Sequence, residues 1–216
     1  MNDSDKLTII YYANAADFVN AEVTASPERE AQIAADPDDI KLRRRLAWIA
    51  LQHAAKHFAK ATCTEPSQIY IADDGRLQTS GAYVSVSHCD VAVAAAISQL
   101  PVGIDCEPTS RILPQNIARR IALPQELRAL PTSPTNDMLL TLWTAKEAVF
   151  KAMPTNKQPP VAWQVDTTTF NIDSLRYANA VVTVATPSRT KIITCMLSPD
   201  DTKDDMHVLP VNKPIL

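Results

Sequence analysis

The sequence predicts an α+β fold made of two similar halves. A length of 216 residues suits one domain or two small, tightly joined halves. Hydrophobic residues make up 46% of the chain and charged residues 21%, which is enough apolar material for a core and too little charge for a disordered chain. A long helix followed by strands occurs twice, although no residue-level repeat is visible. We therefore expect an N-terminal half, residues 1–106, packed as one unit with a C-terminal half, residues 107–216, with the functional site between them.

The N-terminal half begins with a strand and continues into a long helix. The apolar run at 7–12 predicts a buried strand, and a short helix is expected around 27–35. Asp38 or Asp39 is placed to cap a helix that extends to about residue 61, because its apolar residues recur at helical spacing. Short β-like runs between 69 and 106 are separated by turn signals and predict a sheet.

The C-terminal half repeats this order. The segment 114–130 is expected to form two short helices that Pro124 separates, after which Asn136 or Asp137 caps a second long helix to about residue 152. Alternating apolar residues then predict strands at the following three places: 161–165, 180–185 and 191–197.

Charge and cysteine content exclude several classes of protein. Lys and Arg total 21 against 24 Asp and Glu, so the net charge of -3 provides no general basic field for nucleic acid or an anionic membrane. The apolar runs fall far short of the roughly 20 residues of a membrane span, and the N-terminus is acidic where a signal peptide would be basic. The four dispersed cysteines form no CxxC pair, which argues against a zinc ribbon or a disulfide framework. A cytoplasmic protein without nucleic-acid or membrane partners is expected.

Two carboxylates in the segment GIDCE are candidates for metal binding. Asp105 and Glu107 are two residues apart, so on a strand both side chains project from the same face. Such a pair suits Mg²⁺, which keeps several waters and shares substrate phosphates. The alternative is two solvated carboxylates at the end of a strand.

The second long helix carries an aromatic, an acidic and a basic residue on one stripe. Trp143, Glu147 and Lys151 occupy positions i, i+4 and i+8. Glu147 could supply a third carboxylate to the metal site. The alternative is an ordinary Glu–Lys surface pair worth a few tenths of a kcal/mol.

His88 follows a strand-like run, VSVS, and could donate a hydrogen bond to a phosphate oxygen. A lone histidine at a strand end is more often structural, and the adjacent Ser, His and Asp do not form a catalytic triad, because strand neighbours point away from each other. The densest positive cluster is 43–45, three successive arginines that cannot all face one ligand. One or two of them could contact a phosphate.

Three segments in order, VSVSHCD, GIDCE and WTAKEAVFKA, resemble the motifs of the Sfp-type 4'-phosphopantetheinyl transferases. The family motifs read FNxSHS, GxDxE and WxxKExxxK, so the first match is partial and the other two are complete. The resemblance covers residues 29–165 and implies a monomeric pseudo-dimer of two α+β halves.

This resemblance implies transfer of the 4'-phosphopantetheine arm of coenzyme A to a serine of an apo carrier protein. The reaction is Mg²⁺-dependent, releases adenosine 3',5'-bisphosphate, and serves acyl, peptidyl or polyketide carriers. By similarity, Asp105, Glu107 and Glu147 would hold the metal. Glu147 would also take the proton of the attacking serine, Lys151 would neutralise the pyrophosphate, and Asp105 completes the catalytic set.

The resemblance also assigns residues to coenzyme A. His88 with Ser87 would bind its phosphates, and Arg76 would lie near the adenine and phosphates. One arginine of the basic cluster would face the 3'-phosphate. The full set of coenzyme A residues is Arg44, Arg45, Arg76, Ser87, His88 and Lys151.

A carrier protein of this kind is a small acidic helical domain and needs a positive docking surface. Arg119, Arg120 and Arg128 lie between the second and third motifs and are candidates for it, although they could instead form a solvated helix face.

The chain departs from the family pattern at three places. Val84-Ser85 stands in place of Phe-Asn, Cys89 in place of the final Ser of the first motif, and the glycine-free MPTNKQPP follows the third motif. These departures motivate an alternative function, a catalytically weak or inactive module of the same fold that binds coenzyme A or a carrier.

Overall fold

The computed structural model describes residues 6–64, 69–72, 76–177 and 179–202. The helices within these ranges are α1 (Pro27–Ile33), α2 (Asp38–Thr62), α3 (Ile117–Ile121), α4 (Pro124–Ala129) and α5 (Asn136–Ala152). The strands are β1 (Leu7–Asn14), β2 (Tyr70–Ile71), β3 (Leu77–Gln78), β4 (Tyr83–His88), β5 (Ala92–Ser98), β6 (Gly103–Pro108), β7 (Asn171–Tyr177), β8 (Ala180–Thr186) and β9 (Lys191–Met196).

Two sheets and two long helices form a four-layer structure. The first sheet has the order β4-β5-β1-β9, in which β1 is antiparallel to β5 and parallel to β9. The second is antiparallel, with the order β6-β8-β7. Helix α2 packs on the outer face of the first sheet and α5 on the outer face of the second.

The inner faces of the two sheets pack on each other. Small side chains at alternate positions of β5, such as Ala94 and Ala96, contact Ile104 and Cys106 of β6 and Val182 of β8. Every residue of β5 and of β8 is buried, because each strand lies between a helix and the other sheet. This double burial explains the nearly unbroken apolar sequences of the two strands.

The expected mixed α+β architecture is confirmed, and several details of the element predictions are wrong. Residues 69–106 do not form one sheet: β6 pairs with β8, and β2 pairs with β3 as a separate hairpin. Strand β9, from the second half of the chain, joins the first sheet beside β1. These pairings were not predicted, because strand pairing depends on long-range packing and a local sequence pattern contains no information about it. The pseudo-dimer and the boundary at residue 106 stay predictions.

The predicted helix caps lie one or two residues too late. Helix α2 follows Pro37, which makes no side-chain cap, and in α5 the Thr135 hydroxyl accepts a hydrogen bond from the Met138 N–H at 3.3 Å. The predicted strand at 161–165 is instead a short 3₁₀ turn, Ala162–Gln164, and the sequence reading missed β7. The turn expected at 73–75 lies outside the described residues.

Among the residues that the structure describes, no helix has the length and apolar character that crossing a membrane requires.

Candidate active site

The three sequence motifs meet at a contact between Ser87, Asp105 and Lys151. The Lys151 Nζ lies 2.8 Å from Asp105 Oδ1 and 3.2 Å from Ser87 Oγ, and the Ser87 hydroxyl donates to Asp105 Oδ1 at 2.9 Å. These residues come from α5, β6 and β4, one from each motif. The contact therefore joins both sheets and the second long helix at one point.

Alternation along the strands explains how the side chains reach this point. Ser85 and Ser87 both turn from β4 toward β6, where the Ile104 N–H donates to Ser85 Oγ at 3.1 Å. Asp105 faces α5, whereas its neighbours Ile104 and Cys106 face the core between the sheets. Cys89 and Cys106 are both buried.

Asp105 is buried, which rules out the alternative of a solvated carboxylate at this position. Only 7% of the residue is exposed. A buried carboxylate needs compensation by hydrogen bonds or a cation, and Lys151 and Ser87 supply it on Oδ1. Its other oxygen, Oδ2, is buried and has no hydrogen-bond partner among the described residues.

Glu107 is paired with an arginine that the sequence reading did not single out. Arg111, four residues later, forms an ion pair with Glu107, and its guanidinium lies 4.9 Å from the centre of the Trp143 ring. Burial raises the pKa of Glu107, and the charge of Asp105 adds to this rise, while Arg111 opposes it. Trp143 thus lies on the same face of α5 as Glu147 and Lys151, and its ring packs against the Arg111 guanidinium.

Glu147 shares this electrostatic environment. Burial raises the pKa of its carboxyl, the negative charge of Asp105 raises it further, and Lys151 and Arg111 lower it. The charge of Asp105 thus raises the pKa of both Glu107 and Glu147. Three half-buried or buried carboxylates that disfavour one another's charge form a site that a cation would stabilise.

The donor atoms suit a hard divalent cation. Carboxylate oxygens are the ligands that Mg²⁺ prefers, and the unpartnered Asp105 Oδ2 is an oxygen that such an ion would satisfy. The described residues nevertheless hold no group of three His, Cys, Asp or Glu side chains arranged to bind a metal. Lys151 and Arg111 supply the positive charge beside Asp105 and Glu107 instead. The metal set Asp105, Glu107 and Glu147 stays a prediction.

His88 lies in a positive environment. Burial lowers the pKa of its imidazole, and the pKa falls further because of the positive charges of Arg43, Arg44, Lys151 and Arg29. A neutral imidazole surrounded by cations can donate a hydrogen bond to an anion without a charge of its own. Arg29 belongs to this group although it precedes the arginine cluster by 14 residues, and the sequence reading missed it.

The three successive arginines face different partners. Arg43 is buried and binds Asp39 and Asp90, and Arg44 pairs with Asp36 at 2.9 Å. Arg45 makes two hydrogen bonds of 2.7 Å with Glu30 of α1. The structure therefore brings Arg43 and Arg44 near His88 and holds Arg45 against α1.

A cavity of about 840 Å³ opens beside the Lys151 contact. Its wall includes Arg76, Tyr83 and Ser85 on one side and Lys151 and Met153 on the other. Arg76 crosses the end of the cavity, because its Nη1 donates to the Met153 carbonyl at 2.9 Å. The glycine-free segment after α5 thus forms part of the cavity wall and is tied to Arg76.

The arginines predicted to dock a carrier are exposed. Arg119 and Arg120 lie on α3 and Arg128 on α4, and all three side chains face solvent. Leu127, which precedes Arg128 in α4, is also exposed, with 40% of the residue accessible. The structure leaves this surface open to a partner.

Comparison with known families supports the resemblance over part of the chain. Residues 101–195 match the model of the 4'-phosphopantetheinyl transferase superfamily, and this match indicates phosphopantetheinyl transfer in general. The match includes Asp105, Glu107, Glu147 and Lys151, whereas Ser87 and the other residues of the first motif precede it. A comparison with curated proteins finds no significant match.

Proposed function

We propose that the protein is an Sfp-type 4'-phosphopantetheinyl transferase, a Mg²⁺-dependent enzyme that acts as a monomer in the cytoplasm. It moves the phosphopantetheine arm of coenzyme A to a serine of an apo acyl or peptidyl carrier protein and releases adenosine 3',5'-bisphosphate. The observation that carries this proposal is the contact of Ser87, Asp105 and Lys151, which unites the three motifs at the mouth of a cavity.

Coenzyme A binds in the cavity beside Lys151. A volume of about 840 Å³ lies within the range of small-molecule sites. Arg76 provides a positive charge at one end, and Lys151 provides another next to Asp105. His88 and Arg44 extend the positive region toward the 3'-phosphate. Arg45 contributes less to binding of this phosphate, because it forms an ion pair with Glu30.

Asp105, Glu107 and Glu147 would hold Mg²⁺. When bound, the ion neutralises negative charge on the pyrophosphate and polarises its phosphorus toward attack. Arg111 and Lys151 lie beside Glu107 and Asp105 and would add positive charge next to the phosphates, as electrostatic catalysis of phosphoryl transfer requires.

Glu147 acts as the general base. It accepts the proton of the carrier serine, directly or through a water, and its raised pKa brings the carboxylate closer to the basicity that proton transfer near neutral pH needs. The serine oxygen forms a bond to the phosphorus that bears pantetheine, and the bond from that phosphorus to the bridging oxygen breaks. Lys151 compensates the charge that develops on the leaving phosphate.

The carrier docks on the surface formed by Arg119, Arg120 and Arg128. These exposed cations complement an acidic helical domain, and the exposed Leu127 next to Arg128 offers apolar contact.

The test is intact-mass measurement of apo carrier proteins after incubation with the protein, coenzyme A and Mg²⁺. The proposal expects one phosphopantetheine adduct per carrier, its loss on addition of EDTA, and its absence from a carrier whose acceptor serine is changed to alanine. Coenzyme A binding by calorimetry without any adduct on a panel of acyl, peptidyl and polyketide carriers would instead favour the inactive binding module.

A further inference from the structure

A second cavity lies at the other edge of the first sheet. It has a volume of about 530 Å³ and is lined by Tyr11 of β1 and by His53, Lys56, His57 and Lys60 of α2. The candidate active site is next to the edge strand β4, whereas this cavity lies between α2 and β1, the strand that pairs with the opposite edge strand β9. The proposed function uses none of its residues.

Cys195 of β9 lies beside two residues that line this cavity, Tyr11 and His57. Its Sγ lies 3.6 Å from His57 Nδ1, within hydrogen-bond distance for sulfur, and the side chain is half-buried. Cys195 is opposite Tyr11 in the parallel register of β1 and β9. A thiol of the edge strand β9, a phenol of β1 and an imidazole of α2 therefore form one cluster.

The charges around the thiol favour an anionic reagent. Burial and the hydrogen bond with Cys195 raise the pKa of Tyr11 to about 12, so the phenol stays protonated and can donate to the sulfur. Lys56 and Lys60 are exposed on the α2 side, and Asp201 is the acidic group whose charge acts from the other side. Both lysines line the cavity and give its wall positive charge.

We propose that Cys195 is a nucleophilic thiol, activated by His57, that undergoes exchange with anionic low-molecular-weight disulfides bound between Tyr11 and α2. A thiol beside an imidazole has the arrangement of an activated nucleophile. Lys56 and Lys60 select the anionic reagent through their charge.

The exchange step is balanced without any further oxidant. His57 Nδ1 takes the Cys195 proton in the tautomer that carries hydrogen on Nε2, and the sulfur attacks one sulfur of the disulfide. The disulfide bond of the reagent breaks as the new S–S bond to Cys195 forms. The leaving thiolate takes the proton back from His57, so Cys195 is oxidised to a mixed disulfide and half of the reagent is reduced to a thiol.

The experiment treats the full chain with oxidised glutathione and follows each cysteine by peptide mass spectrometry over time. Cys63 is the internal control, since it is exposed and free. We expect Cys195 to react about tenfold faster than Cys63, and His57→Gln to remove about this factor at Cys195 while leaving Cys63 unchanged. Equal rates at the two cysteines, or an unchanged Cys195 rate in His57→Gln, would overturn the proposal.

A second comparison tests the selectivity for anions. Lys56→Gln should slow the reaction of Cys195 with oxidised glutathione by a few-fold at low salt and leave its reaction with the neutral 2-hydroxyethyl disulfide unchanged. If Lys56→Gln affects both reagents equally, or neither, the anionic class assigned to the reagent is wrong. Cys195→Ser identifies the adduct by its loss and confirms the site of modification.

Discussion

Lys151 Nζ donates to Asp105 Oδ1 at 2.8 Å and to the Ile104 carbonyl at 3.0 Å, which fixes the end of α5 to β6 at the point where the cavity opens. This contact is possible because α5 lies directly on β6 at Gly103, where the backbone of the helix leaves no space for a side chain. The geometry of the site thus depends on a glycine of one motif and a lysine of another.

Removal of the Lys151 charge should slow transfer by at least about a hundredfold, since one electrostatic partner of a transferring phosphoryl group is worth roughly this factor. Lys151→Ala also takes the cation away from the buried Asp105. Single-turnover formation of the carrier adduct measures the effect, with circular dichroism to check the fold. Lys157→Ala, which changes an exposed lysine beyond the end of α5, is the matched control and should keep the wild-type rate.

Glu147→Gln should abolish measurable transfer and leave the fold intact. The change keeps the volume of the side chain and removes the charge needed for proton acceptance and for metal ligation. The same single-turnover assay applies, with coenzyme A affinity measured beside it by calorimetry. A variant with a near-wild-type rate would show that the base lies elsewhere.

Gly103→Ala should destabilise the protein by about 2 kcal/mol or more, because overpacking against a rigid backbone cannot relax cheaply. A Cβ at this position would lie 1.9 Å from the Ala148 carbonyl oxygen and 2.6 Å from the Ala152 nitrogen. Urea denaturation followed by tryptophan fluorescence gives the free energy of unfolding. Wild-type stability in this variant would mean that α5 packs farther from β6 than the structure has it.

The buried pair of Lys146 and Glu126 predicts a second, purely structural effect. Lys146 Nζ lies 2.5 Å from Glu126 Oε2 and 2.6 Å from the Val165 carbonyl, and both side chains are almost fully buried. Lys146→Met leaves a buried carboxylate without its cation and should cost about 3–5 kcal/mol. Asp137→Asn, which breaks the exposed pair with Arg176, is the control and should cost under about 1 kcal/mol.

The same pair gives a pH dependence with a definite sign. Burial alone would raise the pKa of Glu126, but hydrogen bonds from Lys146, Thr167 and the Leu123 N–H outweigh it and leave the pKa below its ordinary value. This carboxylate therefore contributes stability above its ordinary pKa, and the contribution is lost as the pH falls through the lower, folded-state pKa. In the wild type, the free energy of unfolding should therefore fall between pH 6 and pH 4. In Lys146→Met this fall should become smaller or turn into a rise, which urea denaturation at several pH values measures. The same pH dependence in the variant and the wild type would show that Glu126 does not control the loss of stability at acid pH.

Much of the site follows from local periodicity. A spacing of two residues in β6 places Asp105 and Glu107 on one face, and a spacing of four in α5 aligns Glu147 with Lys151. These relations depend on one strand and one helix, so the sequence alone contains them. The contact of Ser87 with Asp105 was not predicted, because it joins two strands that belong to different sheets.

The ion-pair partners of the charged residues could not be predicted from local periodicity. Arg45 binds Glu30 and Lys146 binds Glu126, and each partner lies on another helix 15 or 20 residues away along the chain. Which acid faces which base depends on how the helices pack, and this is decided by the whole core. For the same reason, the local sequence does not predict that β9 pairs with β1 in the first sheet.

Reversal of charge on the proposed docking surface should weaken the carrier interaction alone. Arg119→Glu combined with Arg120→Glu should raise the apparent KM for an acidic carrier several-fold at low ionic strength, with coenzyme A affinity unchanged, because rim charges govern encounter more than the chemistry at a separate site. Added salt should reduce the difference between this variant and the wild type. The matched control reverses Arg189 and Lys191, two exposed cations at the β9 edge of the first sheet, with the same change in net charge. An equal KM increase in both double variants would indicate a general charge effect, and a loss of coenzyme A binding in the first would assign Arg119 and Arg120 to the nucleotide site instead.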